Sequence, residues 1–581
     1  MTLEKYFKNH SNKSQKEYEA LRLIFKDGLT PKEAARKAKI SLGYLKNIKS
    51  NALQLIKIGK DPFFSKIESN AGSRSISEYA FNQIIYFRKK NLSIVDIKTK
   101  LDSLGIRCSL DSIDRILKSE GFEPLPRRTR SEKEKAKVAE KSPAPRSSMI
   151  QLENERFTTL KGSSPLIFLP LIEELGIIKA IEAAKFPGTS EISSVSYVLS
   201  ILALKLISCG RLSHDKTWNL DRGLGLFAGL NVLPKTASLS SYAYRITREM
   251  NKQFMASLAK IFTSSEEDSS GEFNLDFHAI PHWGDLSVLE NNWNGSRGKA
   301  MKSALSLIVH DPNSGFLSYT DAEIKHEHQN DAILEFVDFW KEAQGESPKL
   351  LVFDSKLTDY ENLNKLNNST PKIKFITLRR RGKRLVNYAA SIPEDKWITI
   401  KVPRVGKSSR IVKVHDDHHC KLRGYEGEVR QIIITDNGYE KPAFIVTNDF
   451  ESTLEVIVRK YARRWLIEQE ISEQIAFFHL NQLGSSIVIK VDFDLTMTLL
   501  AHNLYKMLAK RLSGFEKCSV GTIHRDFLEN GATVLINNKV IEVALKKRSH
   551  LPLLLGMPLL KKTTNLTWMG AKIKFKGGTT S

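Results

Sequence analysis

Along the first 125 residues, apolar positions recur at helical spacing in short bursts separated by glycine and polar turns. In "EYEALRLIFKDGLTPKEAARKAKISLGYLKNIKSNAL", "LTPKEAA" starts a middle helix, "KIS" makes a turn and "LGYLKNIKS" forms a third helix. A second trio follows in "EYAFNQIIYFRKKNLSIVDIKTKLDSLGIRCSLDSIDRILKSEGF". There "LSIVDIKTKL" is the middle helix, "GIRC" the turn, and Ser109 caps a helix carrying Asp111, Ser112, Asp114, Arg115 and Lys118. Two such trios have the punctuation of helix-turn-helix modules. The same pattern also builds docking or dimerisation bundles, a use that the acidic residues of the last helix would suit.

Charge and proline then replace periodicity in "EPLPRRTRSEKEKAKVAEKSPAPRSS", which reads as a basic linker. Residues 151–265 return to helical spacing, with loops at "FPGTSE" and "LNVLPKTAS", and predict a separate helical layer. Beyond them the period changes. "EFNLDF" is a short strand ending near Asp276, and "KSALSLIVHD" with "GFLSYTDAEI" reads as a hairpin through "PNSG". "DAILEFVDFWKEAQ" is an amphipathic helix, "KLLVFD" a buried strand ending at Asp354, "YENLNKLNN" a helix and "IKFITL" another strand. That succession is the one found in a ribonuclease H-like α/β fold, where the first and fourth strands are central neighbours, so Asp276 and Asp354 are expected side by side.

Residues 386–447, dense in Val, Ile, Gly and Arg with alternating polarity, predict a β-rich insertion. A long helix then follows in "YARRWLIEQEISEQIAFFHL", and at about 100° per residue Tyr461, Arg464 and Glu468 share one polar face. Glu468 therefore arrives where a third carboxylate would complete a cluster with Asp276 and Asp354. Glu470 and Glu473 point elsewhere, and Asp285 and Asp359 end no buried strand. Trp465 is expected to anchor the helix in the interior. The run "LRRRGKRL", with Arg379, Arg380 and Arg381 followed by Lys383 and Arg384, borders the end of the fifth strand and predicts contact with a DNA backbone.

Composition narrows the partner. Lys and Arg total 89 against 65 Asp and Glu, a net charge of +24. A field of that sign favours polyanions and gives salt-dependent affinity through counterion release. A membrane is disfavoured, because Glu173, Glu174, Lys179 and Lys205 interrupt the most apolar runs before they reach spanning length. The opening "MTLEKYFKNHSNKSQ" has no apolar core of a secretory signal, so a cytoplasmic, nucleoid-associated location is expected. Cys108, Cys209, Cys420 and Cys518 are scattered, which argues against disulfides or a structural zinc site, and "HDDHHC" at 415–420 reads as turn-rich strand rather than a metal centre. Three carboxylates in a small volume instead call for hard divalent cations, Mg²⁺ or Mn²⁺, and two such ions about 4 Å apart can serve both oxygens of a phosphodiester exchange.

"LDFHAIPHWGD", "VFDSKLTDYENLNKL" with "IKFITLRRRGKRL", and "YARRWLIEQEI" together resemble the DDE transposases of bacterial insertion sequences, in the group with a Y-x2-R-x3-E-x6-K signature and a β-rich insertion. "RLSHDKTWNLDRGLGLFAGLNVLPKTASLSSYAYRITREMN" is similar to the helical segment preceding the first aspartate in such enzymes. The resemblance implies that Asp276, Asp354 and Glu468 bind metal and that Tyr461 and Arg464 contact the transposon end. It implies cleavage at terminal inverted repeats, joining of 3′-hydroxyl ends to target DNA, and a homodimer or larger assembly on double-stranded DNA. One position departs: the signature lysine falls on Ile475, with His479 a turn later as its nearest polar substitute. The expected organisation is two helix-turn-helix modules (1–70 and 71–125), a linker (126–150), a helical domain (151–265), a catalytic core (266–385 and 448–512) interrupted by the insertion (386–447), and a β-containing terminus (513–581). The alternative is a transposase-derived DNA-binding protein that no longer cuts.

Overall fold

The computed structural model describes residues 13–59, 61–63, 76–90, 92–123, 125, 146–212, 218–265, 270–282, 289–294, 298–404, 407–438, 440–482 and 487–578. Most of the expected linker and Asp285 lie outside them. The chain divides into two compact units, Met1–Ser142 and Pro143–Ser581.

The first unit holds two helical trios. Lys13–Phe25, Pro31–Lys37 and Leu42–Lys57 close around Ala20, Ala34, Leu45 and Ile48. Thr30 and Glu33 form a reciprocal capping box with Pro31 at the first helical position, which explains the sharp start of the middle helix. Glu78–Lys89, Ile94–Ser103 and Leu110–Ser119 close around Ile84, Ile97, Leu101, Ile113 and Leu117. Ser109 Oγ accepts the Ser112 N–H at 3.1 Å, as its place before the helix predicts.

The second unit contains two sheets and a helical layer. The strands are β1 (Glu155–Thr159), β2 (Glu272–Pro281), β3 (Asn291–Asn294), β4 (Lys299–His310), β5 (Leu317–Ile324), β6 (Leu350–Phe353), β7 (Lys374–Leu378), β8 (Ile398–Arg404), β9 (Lys407–Cys420), β10 (Val429–Thr435), β11 (Ala443–Thr447), β12 (Ala532–Asn537), β13 (Val540–Leu545), β14 (Thr564–Leu566) and β15 (Ala571–Gly577). The larger sheet runs β3-β4-β2-β6-β7-β11-β10-β9-β8, with β5 also on β4. β2, β6 and β7 are parallel neighbours, and β4 pairs antiparallel with β2.

Both faces of the central strands are covered, which is why "LLVF" is apolar throughout. Leu351 and Phe353 join Phe273, Phe336, Trp340 and Phe375 on one side. Leu350 and Val352 join Ile376, Ile432, Ile445, Ile457 and Val458 on the other. The segment expected as a separate insertion does not close on itself. β11 pairs with β7, so β8 to β11 continue the central sheet.

The helices of 163–264 and the C-terminal sheet, expected as separate regions, share one core with the helix Val488–Lys510. Phe168 and Tyr505 meet edge to face at 5.0 Å. β1 crosses to the C-terminal sheet and pairs with β12, which turns into β13 at Asn538 and Lys539, both with left-handed φ (48° and 61°). Val488–Lys510 is apolar almost all round because it is buried all round. Its polar exceptions are paired: Asp492 accepts from Asn251 Nδ2 at 2.6 Å and meets Arg248 at 2.5 Å, and Arg248 also meets Asp321 at 2.5 Å. Among the described residues no helix is long and apolar enough to cross a membrane.

Candidate active site

Two carboxylates are brought together by strand register. β2 pairs with β6 through Glu272–Leu350, Phe273–Leu351, Asn274–Val352 and Leu275–Phe353, so the next positions in register are Asp276 and Asp354. Parallel neighbours lie about 4.8 Å apart and aligned residues face the same side. Each carboxylate also accepts the amide of the following residue, Phe277 N–H at 2.8 Å and Ser355 N–H at 2.6 Å. β2 does not end at Asp276 but runs on to Pro281, held by the longer partner β4.

The third carboxylate comes from a broken helix. A single helix was expected over 461–480; instead Leu454–Arg463 and Trp465–Phe477 meet at Arg464. Tight turns mark the joint: Arg464 N–H donates to Tyr461 O and Ile467 N–H to Arg464 O, each at 3.0 Å. The carbonyl of Arg463 is taken by buried Asn274, whose Nδ2 donates to it at 3.1 Å. Lys460 meets Glu272 at 2.5 Å. The joint is thereby fastened to β2 beside Asp276.

Arg464 turns inward and is only 7% exposed. Its Nη1 lies 3.1 Å from Asp276 Oδ2 and its Nη2 2.8 Å from Glu468 Oε1. The Tyr461 ring is 5.8 Å from the guanidinium carbon. Burial pushes the Asp276 carboxyl up to about 6, against the lowering effect of Arg464 and with help from the negative charges of Glu468 and Asp354. Burial likewise drives the Tyr461 phenol upward, so it stays protonated at neutral pH. Asp276, Asp354, Glu468, Tyr461 and Arg464 thus form one electrostatic cluster.

Carboxylate oxygens on rigid elements, with one acid raised chiefly by burial, suit a hard divalent cation. The guanidinium stands between two of them. Among the described residues, the three potential ligands that converge within 4.8 Å are Glu470, Glu473 and His502. That set has its own cation: Lys506 Nζ lies 3.1 Å from Glu470 and 3.3 Å from Glu473. His502 donates from Nε2 to Gly315 O at 3.1 Å and accepts from Gln474 Nε2 at 2.8 Å, leaving the imidazole no lone pair for a metal.

A cleft of about 1120 Å³ opens beside the cluster, bounded by the ends of β6 and β7, the strands β8 to β11 and both helices of the joint. Arg379, Arg380, Arg381, Arg410, Arg459, Arg463 and Arg464 line it, over an apolar floor that includes Val412, Ile434, Phe444 and Val458. Arg379 is half-buried and donates to Gln431 Oε1 at 2.9 Å, whereas Arg380 and Arg381 are exposed. Arg410 and Arg459 were missed in the sequence, alternation with Val412 and Val414 being the available signal for the first; Arg410 donates to Asn437 O, and Arg463 Nη2 donates to Pro312 O at 2.8 Å and Asn313 Oδ1 at 3.0 Å. Trp465 is 48% exposed at this cleft and is not the interior anchor expected of it.

No protein-family model and no curated protein matches this sequence. A solved structure does align. The cryo-EM structure of a piggyBac transposase synaptic complex with hairpin DNA covers 60% of this chain, and the alignment spans 78% of that chain, at 10% sequence identity and a TM-score of 0.34.

Other sequence candidates fall outside the cluster. Ile475 packs against the helical core, and His479 lies beyond the helix end with left-handed φ, its Nε2 3.1 Å from Ser208, so it does not stand in for the missing lysine. Asp359 caps the helix Tyr360–Asn367 by accepting from Glu361 and Asn362 N–H. "HDDHHC" lies on β9, where Asp416 pairs with Arg430 at 2.5 Å and His419 with Glu428 at 2.7 Å.

Proposed function

We propose that this chain is a DDE transposase of the insertion-sequence type. It binds the terminal inverted repeats of its element, cleaves at the ends by metal-dependent phosphodiester hydrolysis and joins the 3′-hydroxyl ends to target DNA. One observation carries the reading: Asp276 and Asp354 follow aligned positions on adjacent parallel strands, and Glu468 is held by the same arginine as Asp276. The order β5-β4-β2-β6-β7 is that of a ribonuclease H-like core, and the helical trios at 13–57 and 78–119 act as helix-turn-helix readers of the repeats.

Asp276, Asp354 and Glu468 would hold Mg²⁺ or Mn²⁺, two ions in all. Bound divalent cations supply an acidified water and neutralise charge on the departing oxygen. The chain supplies the rest. The cleft arginines grip the DNA backbone on either side of the scissile bond. Tyr461, kept protonated by burial, donates a hydrogen bond to a phosphate oxygen. Strand register and the pinned joint fix the backbone positions of the three carboxylates in advance, so the main chain need not reorganise when the phosphodiester arrives. Two ends require two sites, hence a homodimer or larger assembly on DNA.

The test uses the DNA flanking the reading frame. A labelled duplex carrying a terminal repeat is incubated with the protein and Mg²⁺, beside Asp354→Ala. Cleavage at the repeat boundary that the substitution abolishes, with longer joined products, is the expected result. Ile475, packed in the core where the signature has a lysine, favours a second reading, a DNA-binding protein that no longer cuts. Repeat binding without cleavage in Mg²⁺ or Mn²⁺ would establish that one instead.

A further inference from the structure

Arg464 holds two acids and still lacks a full set of partners. Its Nη1 and Nη2 are engaged by Asp276 and Glu468, but its Nε is buried without a hydrogen-bond acceptor. An unmet buried donor raises the free energy of this arrangement relative to any that supplies the missing acceptor. The guanidinium borders the cleft, which the exposed Arg380 and Arg381 also line and where a phosphodiester would be drawn. Phosphate offers a guanidinium several acceptors in the forked geometry it prefers.

Arg464 occupies one oxygen each of Asp276 and Glu468, two of the three acids that a divalent cation would share, and two cations in that space repel. We propose that Arg464 is an internal counter-ion that keeps the carboxylate trio closed to divalent metal until a DNA phosphodiester in the cleft takes its guanidinium. The inference rests on the catalytic reading above and adds a regulation of that site. Its thermodynamic form is positive coupling: DNA tightens metal binding, and metal tightens DNA binding by the same factor. Couplings of this kind are typically of the order of 5- to 150-fold. The joint need not unfold for this, because Asn274 holds the backbone at Arg463 while the arginine side chain rotates.

Mn²⁺ binding, followed by loss of the free-ion EPR signal, tests this on the full-length protein with and without a repeat-end duplex. Ions held by the duplex alone are subtracted using Asp354→Asn at the same DNA concentration. The parent protein is expected to bind Mn²⁺ weakly alone and at least about fivefold more tightly with duplex. Arg464→Met is expected to bind it tightly without DNA and to gain little when DNA is added. If that variant does not fold, Arg464→Lys carries the test, with an affinity above the parent's and a smaller response to DNA. A parent affinity that duplex leaves unchanged while the duplex is bound, or an Arg464 variant no tighter than the parent, overturns the coupling alone. No Asp354-dependent Mn²⁺ under any condition overturns the catalytic reading, and the coupling with it.

Discussion

His310 illustrates how a single buried side chain sets acid sensitivity. It is 1% exposed, neither ring nitrogen has a hydrogen-bond partner, and burial, aided by the charges of Lys506 and Arg463, pulls its pKa down to about 3. In the unfolded chain it titrates near 6.5. Between those values the unfolded state takes the proton and the native state does not, so His310 contributes stability above about pH 6.5 that is lost as pH falls toward 3. His524, lowered to about 4 by burial, acts with the same sign. Asp321 acts oppositely: burial raises it to about 6, so the native state binds its proton first and that contribution weakens as pH rises from about 4 to 6. Replacing His310 by Leu removes an unpaired imidazole at similar volume. Thermal unfolding should find His310→Leu as stable as the parent or more so at pH 7, with a smaller loss between pH 6.5 and 4; an acid loss equal to the parent's contradicts this account.

At the scale of elements, the joint at Arg464 depends on one side chain from another strand. Asn274→Ala leaves the Arg463 carbonyl without its donor and is expected to cost about 1–3 kcal/mol in urea unfolding; an unchanged midpoint would mean that the joint is held otherwise. The same joint marks where sequence periodicity stops being informative. The strand ending at Asp354 was legible because "LLVF" buries every side chain before it, whereas the strand carrying Asp276 runs on past its acid. The break at Arg464 was not legible, because it is made by Asn274, distant in sequence, and no local breaker residue signals it. For the same reason Arg464 turned out inward and Trp465 outward, reversing the faces read from an unbroken helix. The joining of β11 to β7 and of β1 to β12 was equally hidden, since alternation reveals that a strand is half-buried and not which neighbour it chooses. Ile475 was legible as a departure from the signature, but its place in the core was not.

Across the whole molecule the positive charge is +24, and the cleft beside the acids concentrates arginine. DNA affinity should therefore fall steeply with salt. Arg380, exposed at the cleft, should contribute to backbone contact without reading sequence. Arg380→Ala is expected to weaken repeat and non-repeat duplexes alike and to reduce the slope of log affinity against log salt by about 1. Loss confined to the repeat would assign Arg380 to base readout instead.

The central claim is that Asp276, Asp354 and Glu468 act as one metal-dependent unit on a DNA phosphodiester. The most direct measurement compares Asp276→Asn, Asp354→Asn and Glu468→Gln with the parent for cleavage of a repeat-end duplex in Mg²⁺ and for duplex binding. Each substitution is expected to lower cleavage by a similar large factor, on the order of 10²-fold or more, while the duplex remains bound. Parent cleavage that survives removal of divalent metal, or any one of the three variants cutting at the parent's rate, would contradict the account.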